Sequence, residues 1–250
     1  MVETAVFEPG NYTYIRGPFQ YSGGIAPLPG FSVERVTFMT PPAIEPGFKL
    51  IKDYLTSRGL PLTSFAACEL RSPAPFDDAG FIAFNRIYVG TLERWGIFKD
   101  DENPVARSNV CPEVLPPSTP VFHAFSYIVP TEEGAPQGFV TAGGAEAREG
   151  PGGYAENTVR HGETTPDAIL EKAQFTLGAM EIRMTALGYG WKDATTTHVY
   201  TVHDFHPFIA DEIAARGAAQ KGLTWFYARP PVVGLEFEMD VRCVPVERVI

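Results

Sequence analysis

The feature that most constrains the fold is a sequence pattern that occurs twice, 129 residues apart. In each half, a stripe of apolar residues at helical spacing ends at a glycine, Gly59 or Gly188, which is typical of a left-handed helix C-cap. The residues that follow, 59–65 and 188–194, correspond in order, and a run rich in β-forming residues comes next in both halves. A period this long indicates two copies of one domain, because solenoid repeats are only about 20–50 residues long.

The elements around this pattern are predicted in the same order in both halves. The first helix carries an apolar stripe from Phe48 to Leu55, and the second begins at the N-cap residue Thr165, which a proline follows. Each half is expected to contain strand, strand, helix, strand, short helix and strand. This order predicts an α+β fold in which helices pack on one face of a mixed sheet.

The boundary between the halves is expected near residue 130. The segment 131–138 is polar and contains Gly and Pro, as linkers commonly do. We therefore assign residues 1–130 to the first domain and residues 131–250 to the second.

Composition narrows the class of partner. The chain has 44% apolar and 20% charged residues, the balance of a soluble globular protein. Its net charge of −10 argues against nucleic acid, since phosphate binding needs clustered cations. Three cysteines without metal-ligand spacing predict free thiols, and no run is long and apolar enough to span a membrane. We expect a cytoplasmic protein without a membrane partner, metal or cofactor.

Four segments resemble the RidA/YjgF (Rid) family, and together they span most of the chain. Residues 81–88 match the family's F-x-x-x-N-x-x-Y segment, and residues 103–108 match its P-x-A-R-S signature. Residues 139–144 are similar to its small-residue strand, and residues 235–241 to its closing I-E-I-E strand. The resemblance implies tandem Rid-like domains of the chorismate-mutase-like (bacillus) type.

The resemblance also implies an activity and a set of site residues. Family members hydrolyse 2-imino or 2-enamino acids to oxo acids and ammonia, and they form trimers with sites at domain interfaces. An arginine holds the substrate carboxylate, a backbone amide assists and a glutamate positions water. These roles carry over to Arg107 and Glu236 as catalytic residues, and to Asn85, Gly143 and Gly144, with Arg107, as substrate-binding residues.

The two halves depart from the family pattern in complementary ways. The second half lacks the arginine signature, and the first half lacks both the strand glycine and the closing glutamate, where His123 stands instead. We therefore expect one composite site that takes Arg107 from the first half and Gly143 and Glu236 from the second. His123 is included as a further substrate-binding candidate.

The residues themselves support this chemistry. A guanidinium can hold a carboxylate through two charge-assisted hydrogen bonds, which also fix its orientation. Glu236, Glu238 and Asp240 alternate along one strand, so they are expected to share a face and to raise one another's pKa. The glycine-rich stretch 143–153 is predicted as a loop over the site.

The predicted function is hydrolytic deamination of a small carboxylate-bearing imine or enamine. The substrate would be a 2-imino acid or an aminomuconate-like compound, and the products ammonia and an oxo acid. Two alternatives stay open: a Rid homologue that binds a small molecule without catalysis, and a chorismatase-like or ring-hydrolase-like enzyme on the same scaffold. We expect the chain to form a homotrimer and to bind small anionic substrates.

Overall fold

A computed structural model describes residues 2–148, 150 and 152–250. The strands are β1 (Thr4–Phe7), β2 (Tyr12–Ile15), β3 (Gly24–Pro27), β4 (Phe31–Thr37), β5 (Phe65–Arg71), β6 (Ala106–Pro112), β7 (Val121–Pro130), β8 (Phe139–Thr141), β9 (Gly144–Ala145), β10 (Thr196–Tyr200), β11 (Thr224–Phe226), β12 (Ala228–Arg229), β13 (Glu238–Cys243) and β14 (Val246–Val249). The α-helices are α1 (Ile44–Ser57), α2 (Asp78–Arg94), α3 (Tyr154–Asn157) and α4 (Pro166–Ala186).

The repeated pattern forms the same local structure twice. Gly59 and Gly188, just past the ends of α1 and α4, have φ angles of 70° and 86°, the left-handed region that glycine adopts without strain. In each case, the N–H of the residue after the glycine donates to a carbonyl in the last helical turn, that of Leu55 at 3.0 Å or of Met184 at 2.8 Å. These bonds close a Schellman-type cap, so the sequence echo marks equivalent helix ends.

The strands form two sheets whose central strands have the same order. One sheet runs β12-β6-β5-β7-β4-β14, and the other runs β1-β2-β3-β8-β13-β10-β11. Within them, β6-β5-β7-β4 and β11-β10-β13-β8 each contain one parallel pair followed by two antiparallel pairs. The predicted α+β fold with mixed sheets is confirmed.

The ends of the chain cross between the sheets. Strands β1, β2 and β3 extend the sheet of β8, where Ile25 pairs with Val140. At the other end, β14 pairs in parallel with β4 of the opposite sheet. Each sheet therefore contains strands from both sides of residue 130, while the boundary itself stays a prediction.

The molecule has four layers, with the two sheets face to face and helices outside. One core lies between α1, α2 and their sheet and includes Phe48, Tyr88 and Phe125. A second lies between α4 and its sheet and includes Leu177 and Met239. Between the sheets, an apolar cluster lies beside a buried charged layer, which positions polar groups from both halves against each other.

The halves differ where α2 would recur. In the second half, a 3₁₀ turn (His206–Phe208) and a π-helical turn (Ile209–Ala214) replace that 17-residue helix. Only the first half therefore places a long helix against its parallel strand pair. No helix among the described residues is long and apolar enough to cross a membrane.

Candidate active site

A cavity of about 600 Å³ lies where the two halves meet. The first half contributes Arg107 from β6 and Phe81 from α2, and the second contributes Gly143, Arg183 and Glu238. The cavity therefore depends on both halves, as a composite site requires.

Arg107 is a buried cation without a carboxylate partner. Its side chain is almost inaccessible, and no acid among the described residues lies within ion-pair distance of it. One nitrogen, Nη1, donates to Oδ1 of Asn85, and Nε has no hydrogen-bond partner. Aromatic rings surround the guanidinium at 5.0–5.8 Å, namely those of Tyr21, Phe81, Phe84 and Tyr88. Because a buried charge is costly unless it is compensated, this guanidinium is suited to an anionic ligand.

Asn85 lies behind Arg107 and does not line the cavity. It is fully buried on α2, and its Nδ2 donates to the carbonyl of Phe81 at 2.7 Å, which fixes its Oδ1 toward Arg107. Its substrate-binding role stays a prediction, and in the structure Asn85 orients the arginine.

Gly143 and Gly144 line the cavity, but the Gly143 amide is already used. Its N–H donates to the backbone carbonyl of Arg107 at 3.1 Å. We had expected this N–H to contact the substrate, but in the structure it is already occupied. A side chain at Gly143 would collide with Oε1 of Glu238, and a Cβ at Gly144 would lie 2.7 Å from Met180. The two glycines therefore allow close approach of backbone and side chains.

Arg183 of α4 holds the same peptide segment from the other side. Its Nη1 donates to the carbonyls of Ala142 at 3.0 Å and Gly143 at 3.2 Å. The segment is thereby fixed between two arginines, one from each half.

The carboxyl group at the cavity belongs to Glu238, not to Glu236. Glu236 precedes β13, where the alternation of the strand does not yet apply, and its carboxylate pairs with His203 at 2.8 Å and Arg229 at 3.2 Å. It does not line the cavity. Glu238, the first residue of the strand, takes the place that we predicted for Glu236.

The Glu238 carboxyl retains its proton to unusually high pH. Burial, followed by the nearby Asp240 carboxylate, raises its pKa well above the ordinary value, while Arg183 opposes the shift. Among the described residues, no side chain donates a hydrogen bond to it. A protonated carboxyl group in a cavity is equipped to donate a proton.

The pKa of Asp240 is shifted in the opposite direction from that of Glu238. Burial alone would raise its pKa, but His198, at 3.2 Å, outweighs that effect and holds the pKa below its usual value. Ser108 and the Tyr200 hydroxyl each donate to its Oδ2 at 2.7 Å. The expectation that these acids raise one another's pKa holds for Glu238 and is wrong for Asp240, because His198 of β10, together with Arg242, stabilises its charge.

His123 lies away from the cavity. It is on β7, where its ring contacts Phe226 and its Nε2 lies 3.9 Å from a Glu69 oxygen. Burial, together with nearby Arg71, lowers its pKa to about 4. The substrate-binding role of His123 stays a prediction, and the structure places its side chain between the two sheets rather than at this cavity.

Several residues at the cavity were missed in the sequence. Arg183 lies within the apolar stripe of α4, where nothing in the pattern distinguishes it from a surface arginine. Arg148 follows the two strand glycines and lines the cavity with Gly150, Gly152 and Gly153, so the glycine-rich stretch was the available signal. Glu149 and Pro151 of that stretch lie outside the described residues. Within the described part of the chain, no three His, Cys, Asp or Glu side chains could hold a metal ion.

Comparisons with known proteins found a relative of similar length and two solved structures. A 2-amino-5-chloromuconate deaminase from Comamonas testosteroni is 51% identical over 243 residues, which cover 97% of each chain. Among solved structures, a chorismatase covers 97% of this chain and 80% of its own, with 11% identity and a TM-score of 0.45. The YjgF gene product of E. coli covers 43% of this chain and 80% of its own, with 19% identity and a TM-score of 0.31.

The family comparison covers nearly the whole chain. Residues 4–248 match the family described as 2-aminomuconate deaminase CnbZ. The predicted enzyme class, a deaminase that acts on a C–N bond, is confirmed by this match and by the Comamonas relative. The chain belongs to the CnbZ family of 2-aminomuconate deaminases.

Proposed function

We propose that this enzyme hydrolyses 2-aminomuconate, or a closely related six-carbon enamine dicarboxylate, to ammonia and the corresponding 2-oxo acid. The observation that carries the proposal is the content of the shared cavity. A buried arginine without an acidic partner, Arg107, and a carboxyl group that retains its proton, Glu238, line the same space. The names of the family and of the Comamonas relative supply the substrate class.

In this mechanism, Arg107 pairs with the carboxylate next to the amino-bearing carbon, C2. Glu238 donates its proton to a carbon of the conjugated enamine, which thereby becomes an iminium ion with C2 doubly bonded to nitrogen. The Glu238 carboxylate then accepts a proton from water as the water oxygen bonds to C2. The remaining hydroxyl proton moves to the nitrogen, the C2–N bond breaks, and ammonia leaves as C2 becomes a carbonyl. One positioned acid–base group contributes roughly 10²–10⁴-fold to such a rate.

The distribution of the site residues between the two halves supports an origin by tandem duplication. The equivalent strand orders and the 129-residue echo fit two copies of one unit. The first copy would have kept Arg107 and Asn85, and the second Gly143 and the acid. A homotrimer and a cytoplasmic location stay predictions of the family resemblance and of the composition.

The test is turnover of 2-aminomuconate, generated in situ and followed by ammonia release, by the wild type and by Arg107→Met. Methionine approximates the stem of the side chain while removing its charge. Each charge-assisted hydrogen bond to the carboxylate contributes about 1.5–3 kcal/mol, so losing both should lower kcat/KM on the order of 10²–10⁴-fold.

Arg94→Met, at an exposed arginine of the last turn of α2, is the matched control and should leave kcat/KM unchanged. Thermal melts of both variants separate loss of the site from loss of the fold. Absence of ammonia release by the folded wild type would reject the proposed substrate class. Undiminished turnover by Arg107→Met would reject the role of the arginine.

A further inference from the structure

We propose that Arg148 binds the carboxylate at the far end of the substrate and makes the enzyme selective for dicarboxylates. This inference rests on the proposed function, because it concerns the same cavity and the second charged group of a muconate. It adds a specificity-determining residue that follows β9 by three positions and lies outside the strands and helices of the core.

The backbone of Arg148 is held firmly at the wall of the cavity. Its N–H donates to the carbonyl of Asn157 at 3.0 Å, and the preceding Ala147 forms a bridge with Thr158. Two residues earlier, the fully buried carboxylate of Glu146 pairs with Lys172 of α4 at 3.1 Å. The side chain of Arg148 therefore extends from a fixed position, although the residue itself is exposed.

The charge of Arg148 is not neutralised by any described acid. The chain carries a net charge of −10, and the nearby Arg160 pairs with three acids, namely Glu163, Asp167 and Glu171. Arg148 has no such pair among the described residues and lies only over the ring of Phe175, at 5.9 Å. An arginine left without an acid in an acidic protein, on the wall of a cavity, is suited to an incoming anion.

The cavity wall between Arg148 and Arg183 fits the hydrocarbon part of a muconate. Phe175, Ala179 and Ile182 line the cavity along α4, between the levels of Arg148 and Arg183. Phe175 and Arg183 are eight residues apart on the helix, which is about 12 Å along its axis. This length of wall is more than enough for the extended six-carbon chain of a muconate, whose end carbons lie on the order of 6 Å apart. The apolar wall would contact the diene while cations hold its ends.

The experiment compares two stable ligands that share the six-carbon diene and differ only in one carboxylate. Muconate is the dicarboxylate and sorbate, hexadienoate, is the monocarboxylate. Their dissociation constants would be measured by calorimetry, or as inhibition constants against 2-aminomuconate, for the wild type and for Arg148→Gln. Arg94→Gln is the matched control.

The wild type should bind muconate more tightly than sorbate. Arg148→Gln should weaken muconate binding about ten-fold, the effect of losing one charge-assisted contact at an exposed site, and leave sorbate binding unchanged. Arg148→Lys, which keeps the charge, should retain part of the preference. An equal loss for both ligands would assign Arg148 to loop structure, and no loss for either would remove it from the site. Either result overturns the inference while leaving the proposed reaction intact, because that reaction is judged by ammonia release from the wild type.

Discussion

Replacing Lys172 by methionine should strongly destabilise the protein. Lys172 and Glu146 are both fully buried, with Nζ 3.1 Å from Oε1, and Nζ also donates to the Val159 carbonyl at 2.9 Å. Removing one member of a buried ion pair costs about 3–5 kcal/mol, since it leaves the other charge uncompensated. The Glu146 carboxylate still accepts the N–H groups of Glu236 at 2.6 Å and Phe237 at 3.1 Å, so we expect the lower figure, about 3 kcal/mol.

The assay is thermal and urea unfolding across a range of pH. For a chain of this length, about 3 kcal/mol corresponds to a decrease in Tm of about 6–12 °C. Burial already raises the pKa of Glu146, despite the opposing charge of Lys172, and losing the lysine should raise it further. A group whose pKa is raised by folding favours the folded state when protonated. The deficit of Lys172→Met should therefore be largest at high pH and shrink as the pH falls through the pKa of Glu146.

Two comparisons make this reasoning refutable. Lys52→Met, at an exposed lysine within α1, should melt close to the wild type at every pH. The double variant Lys172→Met/Glu146→Gln should recover part of the loss, because no unpaired charge remains. Two results would show that the pair does not stabilise the fold in this way. One is a Lys172→Met protein that melts within 2 °C of the wild type under alkaline conditions, a limit that corresponds to about 0.5–1 kcal/mol. The other is a loss of stability that grows as the pH falls.

The remaining predictions concern the cavity. Glu238→Gln should lower kcat by about 10²–10⁴-fold with little change in KM. The wild type should lose activity as the pH rises through the raised pKa of Glu238, and the variant should not show this loss. A kcat near that of the wild type would exclude Glu238 as the acid. Asn85→Leu should raise KM several-fold because Arg107 loses its orienting acceptor, and Asn85→Asp should raise it further because a carboxylate would neutralise the guanidinium. If steady-state kinetics showed Asn85→Asp to be the milder change, the proposed role of the Arg107 charge would be wrong.

Local patterns in the sequence predicted helix ends better than the full set of elements, since four strands rather than two precede α1, and α2, expected to be short, has 17 residues. The helix caps at Gly59 and Gly188 are determined by a few consecutive residues, so they could be identified without knowledge of the fold. The α+β class followed from the order of the elements. The exchange of terminal strands was not predicted, because strand pairing depends on which sheet edges are free rather than on the composition of a strand.

The site could be predicted only for residues whose position does not depend on contacts with distant parts of the chain. Arg107 and Gly143 lie at the cavity, but the choice between Glu236 and Glu238 depends on where β13 begins. That start is set by the buried carboxylate of Glu146, which binds backbone N–H groups 90 residues away. The lowered pKa of Asp240 likewise depends on His198, which lies on a different strand, β10. Such long-range pairs leave no periodic signal in a single sequence.

The crossing of the terminal strands determines the order in which the protein can be completed during synthesis. Strand β3 docks on β8, which is translated more than a hundred residues later. Strand β14 is the edge partner of β4, which is translated more than two hundred residues before it. One sheet therefore stays incomplete until β13 has been translated, and the other until β14 has been translated. A cut within the segment 131–138 would likewise leave two fragments, each of which keeps strands in the sheet of the other.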